Sequence, residues 1–80
     1  MSPNKTVVLY IQPNSPMCKA AKNYLSHRGI EFTVKDVSID EQAQLELLQT
    51  YESQTTPTIV IDGKAIIGFH PGALYDALEG

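Results

Sequence analysis

Two kinds of apolar pattern open the chain. Val7-Val8-Leu9-Tyr10-Ile11 is an unbroken apolar run, rich in β-branched and aromatic side chains. A strand of that kind is covered on both faces, which predicts the central strand of a sheet. Pro13 and Asn14 end it. Beyond them Met17, Ala20, Ala21, Tyr24 and Leu25 recur at helical spacing and predict one apolar stripe on a helix. Ser15 fits its N-cap and Pro16 its first position, where a missing N–H costs nothing. His27 and Arg28 suit the negative end of the helix dipole, and Gly29 supplies the stop.

Farther on, Ile30, Phe32 and Val34 alternate with Glu31, Thr33 and Lys35, the pattern of a half-buried edge strand. Ser38-Ile39-Asp40-Glu41 fits a capping box and predicts a second helix from Ser38 through Leu45, Leu47 and Leu48 to Tyr51. A polar loop, Ser53 to Thr56, ends at Pro57. Thr58-Ile59-Val60-Ile61 reads as a third strand, Asp62-Gly63 as a two-residue hairpin turn, and Ala65-Ile66-Ile67 as the return strand. After a bend from Gly68 to Gly72, Ala73, Leu74, Ala77 and Leu78 predict a short final helix.

The order is therefore β-α-β-α-β-β-α, an α/β fold in one domain spanning residues 1–80. The expected architecture is a four-stranded mixed sheet with helices on both faces. The first β-α-β unit should be parallel and right-handed. A two-residue turn makes the last two strands antiparallel. The first strand should lie between the second and the third.

Composition narrows the function classes. At 42% hydrophobic and 19% charged, the chain is ordinary for a globular domain and unlike a disordered one. A net charge of -3 gives no footprint for nucleic acid or anionic lipid. The single cysteine, Cys18, excludes an intrachain disulfide. One cysteine and two distant histidines are too few to hold a metal. Met1-Ser2-Pro3-Asn4-Lys5 leads almost directly into the first strand, which fits no signal peptide or membrane span. A cytoplasmic location and a monomer are the default expectations.

The chemistry concentrates in Pro13-Asn14-Ser15-Pro16-Met17-Cys18-Lys19, at the junction of the first strand and first helix. In a Cys-x-x-Cys protein that junction holds the reactive pair. Unpaired N–H groups and the positive end of the helix dipole stabilise a thiolate there. A second thiol one turn on resolves the mixed disulfide. Here the first position is Ser15, a far weaker acid than a thiol, with no histidine close in sequence to activate it. Ser15 also has a purely structural reading as a helix cap. Cys18 is either a quiet core thiol or a reactive one. Met17 is either a core residue or a side chain offered to partners, and His70 reads most simply as a solvated loop residue.

The chain resembles glutaredoxin-like proteins of the thioredoxin fold over nearly its whole length. Four stretches carry the resemblance: Val8-Leu9-Tyr10 followed by Ser15-Pro16-Met17-Cys18-Lys19-Ala20-Ala21-Lys22, then Thr56-Pro57, Ile61-Asp62-Gly63-Lys64, and Gly68-Phe69-His70-Pro71. The last is similar to the Gly-Phe-x-Pro of glutaredoxin-like electron donors of ribonucleotide reductase. The resemblance implies a thiol–disulfide oxidoreductase without a cofactor, with Ser15 in the place of the nucleophilic cysteine and Cys18 in that of the resolving one. It also implies a cis Thr56–Pro57 bond, and a substrate surface made of Gln12, Pro16, Met17, Thr56, Pro57, Gly68, Phe69 and His70. Glutathione-using members carry a lysine where Gln12 stands, and Gly-Gly with acidic residues where Phe69, His70 and Pro71 stand. That departure favours thioredoxin reductase over glutathione as reductant.

Three functional readings stay open. The first is a redoxin whose nucleophile has been exchanged for serine, leaving it inactive or impaired toward a disulfide-containing protein such as ribonucleotide reductase. The second is a non-catalytic module that binds an extended peptide beside Pro57 through the Thr56 backbone. The third is a monothiol using Cys18 alone, slow because access limits exchange.

Overall fold

Leu9 and Tyr10, neighbours in the first apolar run, are both buried, yet they belong to different cores on opposite faces of one sheet. A computed structural model describes residues 5–79. Met1 to Asn4, used above in the reading of the N-terminus, and Gly80 at the end of the expected domain lie outside the described residues.

The elements follow the expected order: β1 (Val7–Ile11), α1 (Pro16–His27), β2 (Thr33–Asp36), α2 (Glu41–Leu45), a wider π-helical turn over Glu46–Thr50, β3 (Thr58–Ile61), β4 (Lys64–Ile67) and α3 (Pro71–Glu79). The sheet order is β2-β1-β3-β4, with β1 parallel to β2 and antiparallel to β3, and β3 antiparallel to β4. β1 is thus internal, as its doubly apolar sequence requires. Every residue of β3 is buried as well. At the hairpin both Asp62 (φ 50) and Gly63 (φ 85) are left-handed, the conformation a two-residue type I′ turn needs.

One face of the sheet packs Val7, Leu9, Ile59, Ile61 and Ile66 against Ala21 and Leu25 of α1 and Leu74 of α3. Full burial of each leucine stabilises the fold by roughly 2 kcal/mol. The other face packs Tyr10, Val37 and Val60 against Ala43 of α2 and Leu47 of the π turn. Gly29 (φ 69) ends α1 in a Schellman motif, in which Gly29 N–H donates to Ser26 O (3.0 Å) and Ile30 N–H to Leu25 O (3.1 Å).

The structure corrects the sequence reading at four places. Met17 is 49% exposed, and Cys18 replaces it in a buried stripe of Cys18, Ala21 and Leu25. The second strand starts at Thr33, so Ile30 and Phe32 reach the core from the connection that precedes it. Ser38 is not the cap of α2. Asp36 Oδ1 already accepts from Ser38 N (2.9 Å) and Ser38 Oγ (2.6 Å), and Asp40 caps the helix by accepting from Ala43 N (3.1 Å). Finally, α2 is regular only to Leu45. Beyond it the bonds lengthen, Tyr51 N–H reaching Glu46 O and Ser53 N–H reaching Leu47 O.

Candidate functional site

The β1–α1 junction is a sharp turn built by its sequence. Asn14 takes a left-handed φ of 61, a conformation asparagine tolerates better than most residues. Ser15 is extended (φ -107, ψ 116) and caps α1, its Oγ accepting from Cys18 N–H at 3.3 Å. Pro16 occupies the first turn, and the first turn holds no acidic residue. Cys18 is free and 3% exposed. The two positions three residues apart are therefore joined through the cap itself, the hydroxyl of one facing the amide of the other. An open groove beside Ser15 is lined by Ile11, Gln12, Pro13, Asn14, Pro16, Cys18, Lys19 and Lys22.

The strand register brings the remaining candidates to the same end of the sheet. Tyr10 pairs with Thr58, so Pro57 and Thr56 continue beside Ile11 and Gln12. The Thr56–Pro57 bond is cis, and Pro57 O accepts from Gly68 N–H at 2.8 Å. Gly68 has a φ of +87, and a Cβ there would come within 3.1 Å of His70 Nε2, so the imidazole lies over the glycine. His70 is exposed and its carbonyl accepts from Leu74 N–H at the start of α3. Phe69 behaves differently. It is half-buried against the α1/α3 core and meets the Tyr24 ring edge-on, with centroids 5.9 Å apart. Thr56, Pro57, Gly68, Phe69, His70 and the exposed Met17 all lie outside the groove beside Ser15.

The sequence reading placed Lys19 and Lys22 in the motif around Cys18 but gave neither a role in the site. Their spacing from Cys18 was the available signal: one and four residues on, they flank the same groove. It also missed a polar cluster on the α2 face. Tyr10 OH donates to Glu46 Oε1 (2.9 Å), and Lys35 Nζ to the same oxygen (2.7 Å). Lys35 Nζ also stands 5.7 Å from the Tyr10 ring centroid. The bond from Lys35, then that from Tyr10, holds the Glu46 carboxyl below the ordinary glutamate range. Burial, followed by the bond to Glu46, pushes the Tyr10 phenol well above its ordinary value.

Among the described residues no three His, Cys, Asp or Glu side chains converge as metal ligands would. No helix among them is long and apolar enough to cross a membrane.

The sheet order, the helices on both faces and the capped junction at the end of β1 define a thioredoxin-like fold of the redoxin kind. The Glutaredoxin family model matches residues 7–66, and the chain belongs to the glutaredoxin family. Over 73 residues it is 30% identical to an uncharacterized glutaredoxin-like 8.6 kDa protein in the rubredoxin operon of Clostridium pasteurianum, covering 91% of this chain and 97% of that protein. The gene 56 protein of Mycobacterium phage L5 is 27% identical over 74 residues, covering 91% of this chain and 72% of the phage protein. The crystal structure of the thioredoxin-like protein BC3987 superposes with a TM-score of 0.89 at 37% identity, covering 91% of this chain and 100% of that one. NrdH-redoxin from Escherichia coli shares the fold, with a TM-score of 0.78 at 21% identity over 89% of this chain and 92% of its own.

Proposed function

We propose that this chain is a glutaredoxin-like thiol–disulfide redoxin, an electron donor to protein disulfides, in a Ser15-x-x-Cys18 form that does not run the dithiol cycle. One observation carries the reading: Ser15 caps α1 where a nucleophilic thiolate would sit, while Cys18 behind it is 3% exposed. A serine hydroxyl cannot form a mixed disulfide, and a buried thiol has poor access to a substrate S–S bond. The substrate class is a disulfide-containing protein such as ribonucleotide reductase. Gln12, and the core packing of Phe69 in the segment where glutathione users carry ligands, support thioredoxin reductase over glutathione as reductant.

The test is Ser15→Cys. The side chains are close in shape, and losing the cap costs at most about 1 kcal/mol. The introduced thiol faces the unpaired N–H groups of α1, so its pKa should fall below the free value of about 8.5. Its thiolate attacks a substrate disulfide, forming a mixed disulfide and releasing one substrate thiol. Cys18 then attacks the mixed disulfide, releasing the second thiol and leaving an intramolecular disulfide for the reductase to reduce. The variant should reduce a small disulfide and cycle with thioredoxin reductase faster than with glutathione. The parent chain should do neither, and Cys18 should label slowly when folded and fast when unfolded. A folded variant inert with both reductants overturns the reading; fast native labelling of Cys18 favours monothiol chemistry instead.

One observation favours the second reading, a module that binds an extended peptide beside Pro57. Among the described residues, the backbone N–H and C=O of Thr56 carry no hydrogen bond, which leaves both free for such a peptide.

A further inference from the structure

The groove beside Ser15 differs in charge from the molecule that contains it. The chain carries a net charge of -3, yet among the described residues the groove lining holds two lysines, Lys19 and Lys22, and no carboxylate. Among the described residues Lys19, Lys22 and, on β4 away from the groove, Lys64 are in no ion pair, whereas Lys5, Arg28 and Lys35 each have a carboxylate partner. The rest of the lining is apolar (Ile11, Pro13, Pro16), amide (Gln12, Asn14), or the Ser15 and Cys18 pair. The groove starts at Ser15 and runs along α1, on residues separate from Thr56 and Pro57.

We propose that this groove receives an acidic polypeptide segment of the partner protein, next to the segment that crosses Ser15. The proposal rests on the redoxin reading and adds to it the chemical class of the partner. The proline and isoleucine surfaces suit apolar side chains, the amides suit a peptide backbone, and the lysines suit carboxylates. Nucleic acid is a poorer match. Among the described residues no aromatic side chain lines the groove for base stacking. Lysines at the rim act mainly on encounter and on partner choice, so the preference is electrostatic and salt-dependent.

The test uses the chain as it stands, with two short synthetic peptides of equal length and apolar content, one carrying glutamates and the other lysines. Binding is followed by fluorescence anisotropy. The acidic peptide should bind about tenfold more tightly at low salt, an advantage that shrinks to about twofold near 0.5 M salt. Lys19→Gln with Lys22→Gln should abolish the preference while the circular dichroism stays unchanged. Lys64→Gln, on the far strand β4, should leave it intact. Equal binding of the two peptides, or a preference that survives the double substitution, overturns the proposal. A Ser15→Cys variant that cycles on a small neutral disulfide without any acidic preference defeats the groove assignment alone. An acidic preference beside an inert Ser15→Cys variant defeats the redoxin reading alone.

Discussion

Against one face of the sheet, α1 and α3 bury Ala21, Leu25 and Leu74, each at 0% exposure, on an aliphatic floor of Val7, Leu9, Ile59 and Ile61. Against the other, α2 and its π turn bury Ala43 and Leu47, while Leu45 and Leu48 face solvent at 47% and 43% exposure. The second face is also held by polar contacts, Tyr10 and Lys35 converging on Glu46 and Ser53 meeting Thr58 at 2.8 Å. The junction that carries Ser15 and Cys18 belongs to α1, so the candidate site is anchored on the dry face.

The sharpest way to break this contrast is a pair of truncations. Leu25→Ala should cost about 4 kcal/mol, near the upper end for a sealed leucine, and Leu47→Ala about 2 kcal/mol, because its surroundings can collapse toward solvent. Urea unfolding measures both. Equal losses would mean that the two faces are equally well packed.

Capping gives a smaller effect on the α2 side. Asp40→Ala should destabilise by about 1 kcal/mol, through loss of the bond to Ala43 N–H. Ser38→Ala should stay within about 0.5 kcal/mol, because the exposed Ser38 binds Asp36 rather than the helix. The reverse ranking would restore Ser38 as the cap.

The smallest effect concerns acid. The folded pKa of Glu46 is depressed, so its contribution is present above the ordinary glutamate range and is lost as pH falls through the folded value. Partial exposure of Lys35 and Glu46, at 31% and 29%, limits the pair to no more than about 1 kcal/mol. Glu46→Gln should therefore lower stability at neutral pH, and the gap to the parent should close on acidification. A gap that stays constant between pH 7 and about pH 3 would show that the carboxylate charge is not what matters.

Features set by local chemistry were readable from the chain. The Val7–Ile11 run placed the central strand, Asp62-Gly63 the hairpin, and Ser15-Pro16 the start of α1. What escaped was decided by competition between neighbours. Ser38 and Asp40 are both good caps in isolation, and Asp36 settles the choice by taking Ser38. Met17 and Cys18 both suit the apolar stripe, and it is Cys18 that shares the buried face with Ala21 and Leu25. The π turn begins at Glu46, whose carboxylate meets Tyr10 of β1 and Lys35 of β2, contacts with no local signature. For the site, the Ser15–Cys18 spacing was legible, while the cationic groove required knowing which helix face borders the loop.

The position of β1 bears on how the protein is made. It is made before β2, β3 and β4, yet one of its two edges is completed by Thr58–Ile61, after α1, β2 and α2 have been made. A nascent chain that has finished β1, α1 and β2 still presents a bare, apolar strand edge, the kind of surface that pairs with other chains. The longer a folding chain takes to bring Thr58–Ile61 against β1, the longer that edge stays open. Chains cut short before Thr58 should therefore collect in the insoluble fraction, and chains that reach Glu79 should not.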